Sequence, residues 1–306
     1  MSVTLLIEQL INGLQLGTML FLMASGLTLV FGVMGLINLA HGSFYMVGAY
    51  VTALTTASTG SFLLGLAAGV LAAAAAGAIV ELLVIRRLYG RQHLDQVLAT
   101  FALILIFSEG TRWLFGSSPL WLSPPEALSG SVALPGGARY PVYRLVIIAV
   151  GVAVAAGLYL LIAHTRLGMR IRAGESDREM IGALGVNIRR LYTLVFALGA
   201  ALAGLAGSLV GALQAVQVGM GEPVLILAFV VIVIGGIGSI KGALIGALLV
   251  GLTETLGGVF LPAFFGLFTD PATATSIGAS LASMAIYVLM GVVLVWRPTG
   301  LFGVRA

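Results

Sequence analysis

The sequence predicts an all-α fold: a polytopic transmembrane helical bundle of about eight or nine spans with a short helix held outside the membrane. Three observations carry that prediction. The 306 residues are 60% hydrophobic and only 8% charged, with a mean hydropathy of +1.14, where a soluble domain carries about 25% charge. Apolar stretches recur near residues 9–35, 42–58, 61–85, 94–115, 142–163, 191–215, 223–240, 242–261 and 276–296, most of them near the roughly 20 residues that a crossing helix needs. The basic residues are lopsided along that alternation: twelve Lys and Arg fall on one side and three (Arg112, Arg139, Arg144) on the other. That bias places the richer side, and the C-terminus with it, in the cytoplasm.

The apolar runs are continuous and lack the alternation of a membrane barrel, so helices are the class that satisfies their backbone in lipid. With no Cys in the chain, disulfides and thiolate chemistry are excluded. His41, His93 and His164 share no ligand spacing, so no metal is expected. The first 85 residues hold no Lys or Arg, which argues against a cleaved leader. A formal charge of +4 fits the arginine bias of membrane loops, and nucleic acid is not an expected partner.

Taken in order, the first span carries Gly13 and Gly17, a GxxxG pair that lets helix backbones approach. Gly65/Gly69, Gly207/Gly211 and Gly242/Gly246 repeat the spacing. The second stretch, Phe44 to Ala57, is only 14 residues long, about 21 Å of helix. If it does not cross, the count is eight and the N-terminus lies inside. Asn38, His41, Gly42 and Tyr45 gather at its start. A short or broken helix with polar groups at its end is tolerated only where protein or a cavity satisfies it, and such breaks mark substrate pathways in transporters. These four residues are therefore candidate pathway residues, although His41 could equally pack at a helix end.

Residues 116–144 form the longest loop on the side poor in basic residues. Prolines keep it from being a helix, and paired short strands around Gly136-Gly137 are expected. It is either a plain connector or an outer docking surface.

The cytoplasmic loop 165–190, "TRLGMRIRAGESDREMIGALGVNIRR", packs six arginines and three acids into 26 residues of a nearly uncharged chain. Within it, Ser176 followed by Glu179 reads as a capping box. Met180, Ile181 and Leu184 give an apolar ridge, and Gly185 supplies a stop. The expected element is a capped helix of about two turns. Local physics leaves three roles open: contact with anionic membrane lipid, a helix lying flat on the bilayer, or a knob for the cleft of a cytoplasmic partner.

Glu179 to Gly185 resembles the coupling motif of ABC-importer permeases, in which a Glu precedes a Gly by six residues; Met180 and Ile181 stand where alanines are usual. "GLINLAHGSFYMVGAY" (35–50), "VIVIGGIGSIKGALIGALLVGL" (231–252) and "WRPTGLFG" (296–303) resemble the membrane subunit of branched-chain amino acid ABC importers. The similarity runs along essentially the whole chain as a single permease domain, 1–306. It implies a bacterial inner-membrane permease working with a second homologous permease, two cytoplasmic ABC ATPases and a periplasmic substrate-binding protein. ATP and magnesium would then sit on the ATPases, with no cofactor on this chain. Ser176, Glu179, Met180, Ile181, Leu184 and Gly185 would be the coupling helix.

Gly236, Gly238 and Gly242 do not keep the GxGxxG spacing and no Walker ending follows, so a nucleotide loop is rejected. Of the acids in or near spans, Glu109 can pair with Arg112 and Glu81 can reach Arg86, whereas Glu254 has no local partner and joins the candidate pathway. No proton relay and no catalytic constellation can be assembled, so an enzyme is not expected. The rival readings are a urea or short-amide permease of the same superfamily, and a stand-alone facilitator or ion-coupled carrier.

Overall fold

Long apolar runs with Gly, Pro or charge between them become helices wherever the runs are long, and the breaks fall at the punctuating residues. The computed structural model describes residues 3–134 and 137–303, without the side chains of Arg178 and Glu179. In order the elements are α1 (Val3–Met34), α2 (His41–Thr59), α3 (Phe62–Leu83), α4 (His93–Phe115), strands β1 (Ser131–Ala133) and β2 (Arg139–Pro141), α5 (Val142–His164), α6 (Arg166–Ser176), α7 (Arg178–Ala183), α8 (Ile188–Val210), α9 (Gly221–Gly235), α10 (Ile240–Phe265) and α11 (Pro271–Trp296). Among the described residues, seven helices (α1, α3, α4, α5, α8, α10 and α11) are long and apolar enough to cross a membrane. The nine expected stretches therefore resolve into these seven, the 15-residue α9, and α2. Helix α2 runs for 19 residues, longer than its 14-residue apolar stretch, because polar residues at both ends join the helix.

The protein is a multi-pass membrane protein, and its surface shows it. Leu63, Leu71, Phe101, Ile106, Val288 and Val292 stand exposed along α3, α4 and α11, a surface that lipid solvates and water does not. All three tryptophans are more than 80% exposed: Trp113 and Trp121 bracket the end of α4, and Trp296 closes α11. Those are the positions of an interfacial aromatic belt.

The chain forms two compact units, each assembled from separate segments. One comprises residues 1–21, 126–152 and 227–306; the other comprises 22–125 and 153–226. In the first, the expected strands pair antiparallel, with Val132 opposite Tyr140. Tyr140 and Arg144 both donate to Asn12 Oδ1, at 3.0 and 2.8 Å, so the start of α1 lies at the same end as this hairpin. At the other end of that unit, two separated glycine motifs form one local structure. Gly236 and Gly238 turn the chain at φ +101° and +82°. The carbonyls that α9 leaves orphaned there, Ile234 and Gly235, accept from Leu301 and Phe302 at 2.9 Å each. The terminal "WRPTGLFG" is thus the cap of α9.

In the second unit, α2, α3 and α8 pack as a tight trio. Its two ends are marked by contacts distant in sequence: Arg86 reaches Thr193 at one, and Leu120 bridges Val216 through paired 2.9 Å bonds at the other. The arginine-rich loops 84–92 and 165–190 therefore share an end, and the hairpin-bearing loop begins at the opposite one.

Candidate functional site

The loop 165–190 folds as an elbow of two helices. Thr165 Oγ1 accepts from Gly168 N at 3.0 Å and starts α6. That helix runs on through Ser176, so Ser176 ends a helix and does not cap the next one. The capping oxygen belongs to Asp177, whose Oδ1 accepts from Met180 N at 2.9 Å. The capping box is corrected by one residue, because α6 extends across Gly174 and takes Ser176 with it. Glu179 lies on α7 with its side chain outside the described residues.

Helix α7 ends in a Schellman motif: Val186 N donates to Ile181 O at 3.3 Å and Gly185 N to Gly182 O at 3.1 Å, with Gly185 at φ +86°. The apolar ridge is split. Ile181 turns inward and is 7% exposed, whereas Met180 and Leu184 are 59% and 75% exposed. Ile181 tethers the helix, and Met180 with Leu184 forms an outward knob at the arginine-rich end of the second unit.

Asn38, His41, Gly42 and Tyr45 come together in the second unit, and all are buried. The link 35–40 doubles back, so His41 Nε2 lies beside Gly26 of α1, where an added Cβ would stand 3.0 Å away. Asn38 Oδ1 accepts from Ala40 N at 3.1 Å. Asn38 Nδ2 and His41 Nε2 have no hydrogen-bond partner among the described residues. Beside them the first turns of α2 and α9 meet backbone to backbone: a Cβ on Gly42 would lie 2.7 Å from Gly221 O. Two helix N-termini and two unsatisfied polar atoms thus converge at a closed contact. Glu254 belongs to the other unit, on α10, and its Oε2 is buried without a partner among the described residues.

The glycine pairs serve close approach. A Cβ on Gly13 would stand 3.0 Å from Leu252 Cα, on Gly17 3.0 Å from Ala247 O, on Gly65 2.7 Å from Thr52 O, and on Gly246 2.6 Å from Val231 O. Gly69, Gly207 and Gly242 abut Gly48 O, Tyr45 O and Gly235 respectively. Gly211 differs: its nearest neighbour is the Val216 side chain at 3.0 Å, and it closes α8.

Sequence reasoning found the Glu81–Arg86 and Glu109–Arg112 pairs but missed what surrounds the first. Glu81 is fully buried and accepts from Arg86 Nε at 3.2 Å, Arg86 Nη2 at 3.0 Å, Tyr89 OH at 2.7 Å and Thr193 Oγ1 at 2.7 Å. Thr193 is 112 residues away, beyond any local spacing rule.

Residues 9–296 match the family described as branched-chain amino acid transport system, permease component. Among curated proteins, the chain is 32% identical to the high-affinity branched-chain amino acid transport system permease protein BraD of Pseudomonas aeruginosa, covering 97% of this chain and 95% of that one. It is 30% identical to the corresponding LivH of Escherichia coli K12, with the same coverages. The ribose import permease protein RbsC of that strain is 30% identical over 80% of this chain and 76% of its own length. No solved structure matches. A multi-pass helical chain, with a match to the family over nearly its whole length, belongs to the branched-chain amino acid transport system permease family and is a transport permease subunit.

Proposed function

We propose that the chain is one membrane subunit of an ATP-driven importer, passing branched-chain aliphatic amino acids from an external binding protein to the cytoplasm. The observation that carries the coupling part is the capped helix α7, which holds Met180 and Leu184 outward on the arginine-rich end. An apolar pair on a short rigid helix among arginines costs solvation unless a partner covers it. The partners are two cytoplasmic ATPases, which bind ATP and magnesium, a second related permease and the binding protein; this chain binds no cofactor. The membrane is the bacterial inner membrane, the C-terminus is cytoplasmic, and the hairpin end with the start of α1 faces outward.

Substrate class rests on the relatives. Two named for branched-chain amino acids align over 97% of the chain, and the one named for ribose over 80%. The pathway passes the paired starts of α2 and α9, which are shut in this conformation. Closure of the ATPases moves α7, and α8 begins five residues after α7 ends, so it carries the motion inward.

Gentle purification of a tagged chain from native membranes, followed by uptake in proteoliposomes, tests this reading. Recovery of ATPases and a second permease, with leucine, isoleucine and valine taken up in preference to ribose and urea, is the expected result. A chain that emerges alone after mild cross-linking overturns it and leaves a self-sufficient carrier.

A further inference from the structure

We propose that Glu81, Arg86, Tyr89 and Thr193 form the transmission joint between the elbow and the helix trio, a set of positioning residues that makes α3 follow α8. This rests on the reading of α7 as a docking helix. The joint lies where such a part belongs. Glu81 is in the last turn of α3, Arg86 and Tyr89 are in the turn that follows it, and Thr193 is in the second turn of α8, just beyond α7.

Adhesion alone does not call for this construction. Taking an ion pair out of water is costly, and apolar replacements are often as stable. What the cluster adds is direction. The carboxylate receives four hydrogen bonds of 2.7 to 3.2 Å, and Arg86 Nη2 also donates to Thr193 Oγ1 at 2.8 Å. A slide of about 1 Å between α3 and α8 takes several of these out of range together, so the two helix ends move as one body or part as one event.

Parting is also provided for. The Thr193 hydroxyl has one proton and two acceptors in reach, Glu81 Oε2 at 2.7 Å and Arg189 O at 3.0 Å. It can leave the carboxylate for its own helix without being orphaned. Tyr89 stays a donor throughout, since burial and its bond to Glu81 hold the phenol above its ordinary value. Its ring stands edge-on to Tyr192 at 5.0 Å, so two successive residues of α8 are gripped.

A plain structural staple would use the same bonds, so the test separates energy coupling from assembly. Thr193→Val keeps the shape and removes the hydroxyl; Thr193→Ser restores it. Both are purified as the full importer and reconstituted with the binding protein, with assembly, ATP hydrolysis and leucine uptake measured in parallel. The expected result for Thr193→Val is intact assembly and ATP hydrolysis, with uptake per ATP down about fivefold. Thr193→Ser is expected within about twofold of the parent. An unchanged ratio in Thr193→Val overturns the proposal, and so does a loss of uptake that only tracks a loss of assembled complex. If the parent chain itself purifies without ATPases, the docking reading fails first and the joint with it.

Discussion

Two regions of the same unit hold their shape in opposite ways. In the trio of α2, α3 and α8, backbone rests on backbone. A Cβ on Gly48 would stand 2.5 Å from Gly204 Cα, and one on Gly207 would collide with Tyr45 O. In the elbow of α6 and α7 such approach is confined to the start of α6, where a Cβ on Gly168 would collide with the carbonyls of Leu161 and Ile162. In α7 a Cβ on Gly182 would meet only the Ile188 side chain at 3.8 Å, and one on Gly185 nothing within 4 Å. Beyond that point the elbow relies on side-chain caps from Thr165, Asp177 and Asn187, at 3.0, 2.9 and 3.1 Å. In lipid the apolar surface of a helix gains nothing by leaving its surroundings, so close packing must supply the association. At the aqueous end, local hydrogen bonds suffice, and the apolar side chains stay free for a partner. The difference teaches where each kind of substitution should act: bulk in the trio should cost the fold, and polarity on the exposed face of the elbow should cost only the assembly.

The largest effect is expected from bulk in the trio. Overpacking a filled core costs about 1–3 kcal/mol when side chains can yield. At Gly48 and Gly207 the obstacles are backbone atoms, so Gly48→Ala and Gly207→Ala should exceed that range. Little folded protein should be extracted from membranes, as read by the monodisperse fraction on gel filtration. Gly211→Ala is the control, because its tightest contact is the Val216 side chain at 3.0 Å and the backbone oxygens of Gly207 and Ser208 stand at ordinary contact distances of 3.4 and 3.7 Å. Its yield should stay near that of the parent. Equal loss in all three would break the comparison.

Next comes polarity in the elbow. Met180→Asp and Leu184→Asp place charge on the exposed Met180 of α7 and on the exposed Leu184 that follows it. Each should leave the yield of folded chain unchanged and lose co-purifying ATPases. Truncating a central interface side chain can cost 2 kcal/mol or more, about thirtyfold in affinity. Ile181→Asp should behave like a trio variant, since Ile181 is buried. Normal uptake by both exposed-site variants at normal expression would remove α7 from the docking surface.

What the sequence disclosed follows the same divide. GxxxG pairs are local, so Gly242 and Gly246 could be read as packing positions before Gly235 and Val231 were known as their neighbours. The arginine island and its glycine stop were legible for the same reason. Ser176 and Asp177 are both competent caps and adjacent, and nothing local says where α6 stops; the cap moved by one residue on the length of the preceding helix. The inward turn of Ile181 depends on how the elbow folds back, and the Thr193–Glu81 bond spans 112 residues. Tertiary placement decides both, and single-sequence periodicity carries no trace of it. The buried starts of α2 and α9 were half visible: polar residues announced a break at Asn38 and His41, but not that Gly221 would close against it.

A smaller effect is expected at the elbow's stop. Gly185 sits at φ +86° with open space around it, so Gly185→Ala clashes with nothing and suffers only from its backbone. That conformation costs an L-residue about 1–2 kcal/mol. The Schellman bonds should loosen, the knob should fray, and uptake should fall severalfold while the extracted chain remains folded. Gly185→Asn, which tolerates the left-handed region better, should recover most of the loss.

The smallest expected change discriminates between the two neighbouring caps. Asp177 Oδ1 accepts the Met180 amide at 2.9 Å, whereas Ser176 closes α6. Removing a helix cap costs about 1 kcal/mol, and replacing one good capping residue by another costs much less. Asp177→Ala should therefore lower uptake through fraying of α7 by less than Gly185→Ala does, Asp177→Asn should stay close to the parent, and Ser176→Ala should match it. The ordering matters more than the size, because a cap at Ser176 would reverse the two alanine variants. Ser176→Ala proving the more damaging would restore the capping box read from the sequence, and would mean that α6 ends before Ser176 in the working protein.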